Sequence, residues 1–394
     1  MYFGKGDDIK QRKLQNKKTV EKKRIVIAPL DWGLGHATRC IPIIRELLVR
    51  RIDVVIAADG RTYDLLKKEF PSVTLYRLPG FSPTYNEKGA SAFHMIRQLP
   101  MLIKATIGEH RAIQRLIETE KIDSVISDNR FGLFTTKVPT VYIVHQIRIL
   151  MPHRLRIFEW AVYYIHQYII KKYTECWIPD YSGSRNLSDK LAHSFPLPSN
   201  ATFIGPLTRL RAEPSHSSVT SRLAGKKSKK MKRNVLVILS GPEPQRTIFE
   251  QLVTRQLMQS DFSALIVQGI PETNEKRKLS PKITIVSMLS AEELRREILA
   301  VEIVLSRSGY STIMDLAALG KKAIFVPTPG QTEQEYLAAH FHETKVCFSM
   351  NQHDFDLQRA VEASKEFRGF IATEMTEPQL PKTIAEFLTR LQAA

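Results

Sequence analysis

The stretch "SRSGYSTIMDLAALGKKAIFVPTPGQTEQEYLAAH", residues 306–340, contains a strand end, a glycine turn, a helix, a buried strand and a polar loop that opens another helix. A strand followed by a helix and a second strand predicts a parallel sheet that is covered by helices. The turns of this stretch carry hydroxyl, acidic and amide side chains, whereas its apolar residues have the spacing of a core. Because parallel sheets bind ligands at the carboxyl ends of their strands, we predict a ligand site at these turns.

The same alternation of strands and helices extends along the chain and is interrupted once, after residue 206. We therefore predict an α/β fold of two Rossmann-like αβα domains that face a cleft, each with a mostly parallel sheet. The predicted strands are 24–30, 53–59, 73–78, 122–128 and 140–146 before the interruption, and 234–241, 263–269, 283–289, 301–309 and 322–328 after it.

Composition sets the predicted domain boundaries, and a length of 394 residues suits two domains. Residues 1–23 are predicted to form a basic flexible tail, and residues 24–206 the N-terminal domain. Residues 207–234, rich in Ser, Pro and basic side chains, are predicted to form a linker, and residues 235–370 the C-terminal domain. The remaining residues, 371–394, contain a helix that could pack on either domain, including back on the N-terminal one.

The net charge of +18 raises the question of an anionic partner. Most of the excess lies in the tail and the linker, because residues 1–24 carry nine Lys/Arg against three Asp/Glu and residues 209–233 carry nine against one. A third excess, twelve against six, lies in residues 97–172. Such segments are either solvated for solubility or attracted to an anionic surface, which would be a membrane or a nucleic acid.

Cysteine usage and hydropathy bear on the compartment. Cys40, Cys176 and Cys347 follow no metal-binding or disulfide spacing, which favours a reducing cytoplasm. The polar N-terminus predicts no signal peptide, and no apolar run reaches the roughly 18 residues of a membrane span. The sequence therefore predicts a cytoplasmic protein.

The loop "DWGLGHATR", residues 31–39, follows the first predicted strand. Gly33 and Gly35 allow a tight turn, but the third glycine of the dinucleotide fingerprint is absent, which argues against NAD. His36 lies at the junction of loop and helix, and Asp128 ends a strand of the same predicted sheet. An acid there can orient an imidazole, although a structural histidine and a helix cap are the alternatives. We interpret His36 and Asp128 as candidate catalytic residues, and the two glycines as part of an acceptor-side loop.

Four strand-end loops in the second half carry groups that suit a nucleoside diphosphate. Gly241 turns the chain into a helix that begins near Arg246, where N–H groups and the helix dipole favour a phosphate. Asp315 lies one helical turn after a second such turn and can accept hydrogen bonds from ribose hydroxyls. The predicted nucleotide-binding residues are Gly241, Arg246, Met288, Leu289, Ser308, Gly309, Ser311, Thr312, Asp315, Gln331, Gln334 and Glu335. Each of them alone is also compatible with a cap or a turn.

Residues 301–340 resemble the C-terminal nucleotide-sugar domain of family-28 glycosyltransferases, whose best-known member adds N-acetylglucosamine to lipid I. The family pattern is R-S-G, small and hydroxyl residues, an acid, A-A-x-G, an apolar strand and a loop that ends in Q-Q. The corresponding residues here are Arg307, Ser308, Gly309, Tyr310, Ser311, Thr312, Asp315, Ala317, Ala318, Gly320, Gln334 and Glu335. Two positions depart from the pattern, since Asp315 replaces the ribose-binding Glu and Glu335 replaces the second Gln.

The resemblance implies a GT-B fold, a nucleotide-sugar donor of the UDP-GlcNAc type in the C-terminal domain, and an acceptor in the N-terminal domain. His36 with Asp128 resembles the His–Asp pair of plant and antibiotic GT-B enzymes, which implies inversion at the anomeric carbon. We read the D-x-D of Asp354 and Asp356 as a helix cap, so no metal and no other cofactor is expected. Peptide N–H groups at helix starts would then stabilise the leaving diphosphate.

The segment "RILMPHRLRIFEWAVYYIHQYIIKK", residues 148–172, combines Trp160, three tyrosines and aliphatic residues with flanking Arg and Lys. This composition is typical of an interfacial surface that binds an anionic membrane. A buried core helix with basic ends is the alternative. The first interpretation predicts a peripheral protein on the inner face of the plasma membrane and a lipid-linked or glycan acceptor in envelope polysaccharide synthesis.

Two other functions stay open at this stage. A nucleotide-sugar epimerase on the same fold would turn over the donor without any acceptor. A basic nucleic-acid-binding protein would use the net charge directly. Because that charge lies mostly in the tail and the linker, and no basic motif with interleaved aromatic residues is present, we expect no nucleic-acid partner.

Overall fold

The computed structural model describes residues 22–81, 92–210, 234–372 and 379–393. These residues form two αβα domains in series, each built on its own mostly parallel sheet. The predicted fold class is therefore confirmed. The predicted tail, apart from its last two residues, lies outside the described residues.

The N-terminal domain has a seven-stranded sheet in the order β3-β2-β1-β4-β5-β6-β7, with every neighbouring pair parallel. Its strands are β1 (Arg24–Pro29), β2 (Asp53–Ala58), β3 (Thr74–Arg77), β4 (Ser124–Asp128), β5 (Thr140–Ile143), β6 (Glu175–Ile178) and β7 (Ala201–Phe203). Its helices are α1 (Leu34–Val49), α2 (Gly60–Glu69), α3 (Ala92–Glu120), α4 (Glu159–Ile170) and α5 (Lys190–His193), and a 3₁₀ turn (His153–Phe158) precedes α4. The strand order reverses between β1 and β4, so the loops that follow these strands diverge and leave a crevice.

The C-terminal domain has a second seven-stranded sheet in the order β10-β11-β9-β8-β12-β13-β14, in which only β10 is antiparallel to its neighbour. Its strands are β8 (Val235–Ile238), β9 (Ala264–Val267), β10 (Lys276–Lys278), β11 (Ile283–Val286), β12 (Ile303–Ser306), β13 (Ala323–Phe325) and β14 (Phe348–Ser349). Its helices are α6 (Gln245–Met258), α7 (Ala291–Ala300), α8 (Tyr310–Ala318), α9 (Thr332–Glu343), α10 (Leu357–Ser364) and α11 (Gln379–Ala393). The order reverses here between β8 and β12, which places the second crevice before α6 and α8.

Each of the ten predicted strands overlaps a strand of the structure, because all of them except the edge strand β3 contain an apolar run buried beneath helices. Four strands that the sequence did not predict, β6, β7, β10 and β14, lie toward the sheet edges. β10 reads Lys-Arg-Lys and is exposed along its whole length. A charged edge strand of this kind carries no apolar signal, and it protects the sheet against pairing with other chains.

The predicted linker begins too early at residue 207. Leu207 and Leu210 are buried, and the backbone N–H of Leu207 lies 3.2 Å from the sulfur of Met314 on α8. Residues 207–210 therefore pack against the C-terminal domain, whereas residues 211–233, with the most basic part of the predicted linker, lie outside the described residues.

The last helix, α11, packs on the N-terminal domain. The ring of Phe387 meets the edge of Trp177 on β6 with centroids 5.5 Å apart, and Arg390 forms an ion pair of 2.9 Å with Glu175. Arg50 at the end of α1 also donates to the carbonyl of Pro381 over 2.9 Å. The chain thus crosses back, so that the C-terminal helix packs beside α1 and over β6 of the first sheet.

The two domains contact each other along α1 and α8. The hydroxyl of Ser311 donates to the carbonyl of Gly35 over 2.8 Å, and Thr332 donates to the carbonyl of Leu150 over 2.9 Å. The imidazole of His145 stacks on the ring of Tyr310 with centroids 4.2 Å apart. These contacts hold the carboxyl ends of the two sheets face to face. Within the described ranges, no helix has both the length and the apolar character needed to cross a bilayer.

Candidate active site

A cavity of about 190 Å³ lies between the carboxyl ends of the two sheets. Its N-terminal wall comes from the loop after β1, from the first turns of α1 and from the segment after β5. Its C-terminal wall comes from the loops after β8 and β11, from α7, and from the starts of α8 and α9. The two strand-order reversals therefore open onto one shared space.

His36 and Asp128 come together at the N-terminal wall, as the sequence predicts. Nδ1 of His36 lies 3.2 Å from Oδ2 of Asp128, which is fully buried at the end of β4. Nε of Arg39, one helical turn after His36, lies 2.9 Å from each oxygen of the same carboxylate. Burial alone would raise the pKa of Asp128, but Arg39 and His36 beside it lower that pKa to about 2. The carboxylate is therefore ionised at any physiological pH.

Arg39 also affects the imidazole of His36. Burial, and then the positive charge of Arg39, lower the pKa of His36 against the opposing effect of Asp128. The imidazole is therefore neutral near pH 7, which is the state in which it can accept a proton. No described residue bonds its Nε2.

The two glycines of the acceptor-side loop serve different purposes. Gly33 precedes α1 and has φ of +144°, a backbone region that residues with a side chain rarely adopt. Gly35 lies inside the first turn of α1, where an added Cβ would come within 3.0 Å of the Ser311 hydroxyl. The first glycine therefore shapes the turn, and the second allows the two domains to approach.

The C-terminal wall contains most of the predicted nucleotide-binding residues. Gly309 directly precedes α8, and Ser311 and Thr312 lie in its first turn, so the N–H groups of this helix start face the cavity wall. Met288 and Leu289, with the α7 side chains, give one end of the cavity an apolar surface. Gly241 and Gln331 also line the cavity. The arrangement offers an electropositive helix end beside an apolar recess.

Asp315 lines the cavity but already has a hydrogen-bond partner. The hydroxyl of Thr208, from the segment after β7, donates to its Oδ1 over 2.5 Å. Burial raises the pKa of Asp315 to about 6, and the neighbouring Arg209 and Thr208 oppose this rise. The carboxyl group is therefore held beside the cavity by a segment that the sequence analysis had assigned to a linker.

Arg209 is a functional candidate that the sequence analysis missed. Its side chain lines the cavity beside Asp315, and the residue is only 9% exposed. Within the described part of the chain, its guanidinium makes no hydrogen bond, and its buried Nε has no partner. Asp315 attracts this cation without a hydrogen bond, and a buried guanidinium that lacks a hydrogen-bond acceptor is costly unless a ligand supplies one. The sequence contained one indication of this position, because Arg209 lies between Leu207 and Leu210, and two leucines three residues apart are unexpected in a solvated linker.

The sequence of this chain is similar to those of known proteins. Residues 235–388 match the glycosyltransferase family 28 C-terminal domain. The second domain is therefore of the family-28 C-terminal type, and the chain is a glycosyltransferase. A Methanosarcina mazei protein named as an uncharacterized glycosyltransferase is 23% identical over 332 residues, which cover 81% of this chain and 83% of the relative. A Methylobacterium nodulans UDP-N-acetylglucosamine–N-acetylmuramyl-(pentapeptide) pyrophosphoryl-undecaprenol N-acetylglucosamine transferase is 23% identical over 371 residues, which cover 86% and 87%.

Solved structures share the two-domain arrangement of this glycosyltransferase. The calicheamicin glycosyltransferase CalG4 superposes with a TM-score of 0.59 at 12% identity, over 95% of this chain and 99% of that one. Acinetobacter baumannii MurG superposes with a TM-score of 0.50 at 13% identity, over 94% and 99%. At such identities the likeness shows the fold, and this fold is GT-B, as the sequence resemblance implied.

Some predicted residues of the glycosyltransferase lie away from the cavity. Arg246 does not line it, because its guanidinium binds Glu243 over 2.6 Å and Glu250 over 2.7 Å. Glu335 accepts from the N–H of Gly330 over 2.7 Å and shapes the loop before α9. Ser308 donates to the carbonyl of a residue in α9 over 2.8 Å and is buried. The expectation that Arg246, Ser308 and Glu335 contact the ligand is therefore corrected to a structural role.

Gln334 combines both roles. Its Oε1 accepts from the N–H of Thr328 over 2.9 Å, and the residue also lines the cavity. The D-x-D of Asp354 and Asp356 lies elsewhere, and Asp356 caps α10 by accepting from the N–H of Arg359 over 2.7 Å. Among the residues that the structure describes, no three His, Cys, Asp or Glu side chains are grouped as a metal would require.

A second surface lies on the N-terminal domain. We call it the aromatic face, and it consists of Ile157, Phe158, Trp160, Tyr164, Ile165 and Tyr168, each more than half exposed. The opposite side of α4, with His166, Gln167 and Ile170, is buried. The alternative of a core helix is therefore wrong for the aromatic face, although it describes the other side of the same helix.

Proposed function

We propose that this glycosyltransferase moves a sugar from a UDP-linked donor, UDP-GlcNAc being favoured, to a hydroxyl of a lipid-linked or glycan acceptor in envelope polysaccharide synthesis. The observation that carries the proposal is the shared cavity, with His36 on one wall, backed by the buried Asp128, and the start of α8 with Arg209 on the other. Several relatives are UDP-N-acetylglucosamine transferases by name, which supports the choice of UDP-GlcNAc as donor.

On the donor side, the reaction needs positive potential where the diphosphate leaves. The N–H groups at the start of α8 and the guanidinium of Arg209 supply it without a divalent cation. The apolar recess at Met288 and Leu289 suits a base, and Asp315 suits the ribose hydroxyls. The donor therefore binds along the C-terminal wall with its sugar toward the N-terminal domain.

On the acceptor side, His36 acts as the base. The acceptor oxygen forms a bond to the anomeric carbon, the bond from that carbon to the diphosphate breaks, and the diphosphate leaves with the bonding electrons. The hydroxyl proton moves to Nε2 of His36, and Asp128 stabilises the resulting imidazolium. Because the acceptor attacks opposite to the leaving group, the anomeric configuration inverts.

The test of this function is a calorimetric panel of UDP, GDP, TDP and their sugars, followed by transfer assays with and without EDTA. We expect UDP and UDP-sugars to bind, Asp315→Ala to weaken them, and EDTA to leave the transfer rate unchanged. The donor should persist when no acceptor is supplied, whereas an epimerase would convert it. Failure of every nucleotide to bind, or loss of transfer in EDTA, would contradict the proposal.

The acceptor is proposed to be reached at a membrane. The aromatic face is flanked by the exposed Lys171 and Lys172, and the ammonium of Lys172 lies 4.7 Å from the ring centroid of Tyr168. Apolar and aromatic residues beside basic ones suit the interface of an anionic bilayer. This supports a peripheral protein on the inner, cytoplasmic face of the plasma membrane.

Replacing Trp160 and Tyr164 together by serine is expected to lower binding to phosphatidylglycerol vesicles by at least about tenfold, because two large apolar side chains lose their insertion energy. Cosedimentation measures the bound fraction. The matched control replaces Met258 and Leu299, which are exposed on the C-terminal domain, by serine. Equal binding by the two double variants would contradict a membrane role for the aromatic face.

A further inference from the structure

Arg39 connects the proposed base to the opposite domain. Its Nη2 lies 2.9 Å from Nδ1 of His36, and its Nη1 lies 3.0 Å from Nδ1 of His145. Nε2 of His145 lies 2.9 Å from Oε1 of Glu333, in the first turn of α9. A continuous hydrogen-bonded chain therefore runs from Asp128 and His36 in the N-terminal domain to Glu333 in the C-terminal domain.

The chemistry of the guanidinium fixes the hydrogens in this chain. A guanidinium has only donors, so a nitrogen that it contacts must accept. Nδ1 of His145 therefore accepts from Arg39, and Nε2 of His145 carries the hydrogen that it donates to Glu333. One neutral tautomer of His145, with its hydrogen on Nε2, therefore satisfies the hydrogen bonds to both Arg39 and Glu333.

The same reasoning applied to His36 gives a conflict with its role as a base. Nδ1 of His36 lies 2.9 Å from a donor, Nη2 of Arg39, and 3.2 Å from an acceptor, Oδ2 of Asp128. A neutral imidazole cannot accept from the first and donate to the second with one nitrogen. The shorter contact is with Arg39, and Asp128 is already paired by that same guanidinium. Nδ1 is therefore the acceptor, and Nε2 carries the hydrogen.

We propose that Arg39 is a positioning residue that keeps His36 in the Nε2–H tautomer while the domains are closed without an acceptor. In that tautomer Nε2, which no described residue bonds, already carries a hydrogen and cannot take a proton, so a donor-loaded enzyme does not activate water. Transfer requires Nη2 of Arg39 to leave Nδ1. His36 then takes a proton from solvent at Nδ1, where Asp128 accepts its hydrogen bond, and releases the Nε2 proton to solvent, so that Nε2 becomes the base. The tautomer of His36 does not depend on the proposed function. Its consequence for catalysis rests on that function.

The link to Glu333 makes this control depend on domain closure. Glu333 belongs to the C-terminal domain, so it fixes His145, and through it Arg39, only when the domains meet. The charged and titratable groups that face His36 are Arg39 from α1, Asp128 from β4, His145 after β5, and Glu333 from α9. Cys40 of α1 faces Asp128 instead. The inference therefore concerns a network of both domains and not an isolated pair.

The direct test is the tautomer of His36 in the full-length wild-type protein without ligand. Long-range ¹H–¹⁵N correlation spectra of ¹⁵N-histidine-labelled protein distinguish the two neutral forms, and the His36→Gln variant assigns the signal. We expect the Nε2–H pattern. An Nδ1–H pattern would overturn the inference, and since no substrate is present, this result is independent of whether the proposed reaction is right.

A kinetic test uses Arg39→Gln, with Arg50→Gln at the far end of α1 as the control. Without the adjacent positive charge the pKa of His36 rises, so the acid limb of kcat/KM should move to higher pH. We expect the activity at pH 6 relative to pH 8 to fall by about tenfold more than in the wild type. A purely structural Arg39 would lower kcat/KM by the same factor at both pH values, which would contradict the inference.

A third variant covers the case in which Arg39→Gln does not fold, because it leaves the buried Asp128 unpaired. Glu333→Ala keeps the pair of Arg39 and Asp128 but frees His145, so hydrolysis of the donor without acceptor should rise several-fold relative to transfer. Glu333→Gln keeps an acceptor for Nε2 of His145 and should restore the wild-type ratio. An unchanged ratio in Glu333→Ala would count against the link between the domains.

Discussion

Replacing His36 by glutamine is expected to lower kcat of sugar transfer by about 10²–10⁴-fold, the usual contribution of a positioned base. Nucleotide affinity should change little, because His36 lies on the wall opposite to Gly309 and Thr312. Steady-state kinetics with saturating donor and acceptor give kcat, and calorimetry with UDP on the same preparation gives the dissociation constant. A loss of kcat together with intact binding would identify a role in the chemical step.

The matched control for this variant is His353→Gln, because His353 is 97% exposed and distant from the cavity. It should retain wild-type kcat. Asp128 makes a poorer test, since Asp128→Asn leaves Arg39 as an unpaired buried cation at a cost of about 3–5 kcal/mol in the free energy of unfolding. If His36→Gln retained more than a tenth of wild-type kcat, His36 would not be the base and another acceptor of the proton would be required.

The proximity of His36 and Asp128 could be predicted because it follows from sheet topology alone. Asp128 ends β4, and His36 lies in the first helical turn after β1. These two strands are neighbours that pair in register from Ile25 to Pro29. Parallel strands bring their carboxyl ends to one edge regardless of the length of chain between them. Apolar runs separated by helical segments therefore predicted both the fold and the proximity of His36 and Asp128 at the N-terminal wall.

The role of an arginine that follows a strand could not be predicted from its position alone. Arg246 follows a strand and begins a helix, as a phosphate ligand would, but Glu243 and Glu250 lie three residues before and four residues after it. Pairs at these spacings face each other on a helix, and this local signal could have excluded Arg246. The network around Arg39 had no such signal, because His145 reaches it from another strand end of the same sheet, and Glu333 joins the network only through the packing of two domains.

Arg246 was predicted to bind the ligand and does not, whereas Arg209 was not predicted and lines the cavity. Its segment is rich in the residues of a linker, and its value as a ligand depends on Asp315, which Thr208 reaches across 107 residues of sequence. The sequence analysis identified Asp315 as a ligand but did not identify the arginine beside it. Only the structure shows that one arginine of a basic segment is buried at the cavity wall, with an Nε that no described residue bonds.

Replacing Arg209 by methionine is expected to weaken UDP binding by about 10–100-fold, since a charge-assisted hydrogen bond contributes about 1.5–3 kcal/mol. Arg209→Lys should recover part of the affinity, because an ammonium keeps the charge but loses the planar fork that binds a diphosphate. Isothermal calorimetry with UDP measures both variants. Arg359→Gln, an exposed arginine on α10 of the same domain, is the control and should bind as the wild type does.

The stability of the donor-free protein separates ligand binding from a structural role of Arg209. Burial lowers the pKa of this guanidinium, and the attraction of Asp315 does not outweigh it, so the charge is held at a cost while the cavity is empty. Arg209→Met should therefore have a Tm at least equal to that of the wild type without ligand, and it should lose most of the rise in Tm that UDP causes. A lower Tm without ligand, with the UDP-induced rise intact, would show that Arg209 supports the fold and that the diphosphate is bound by other groups.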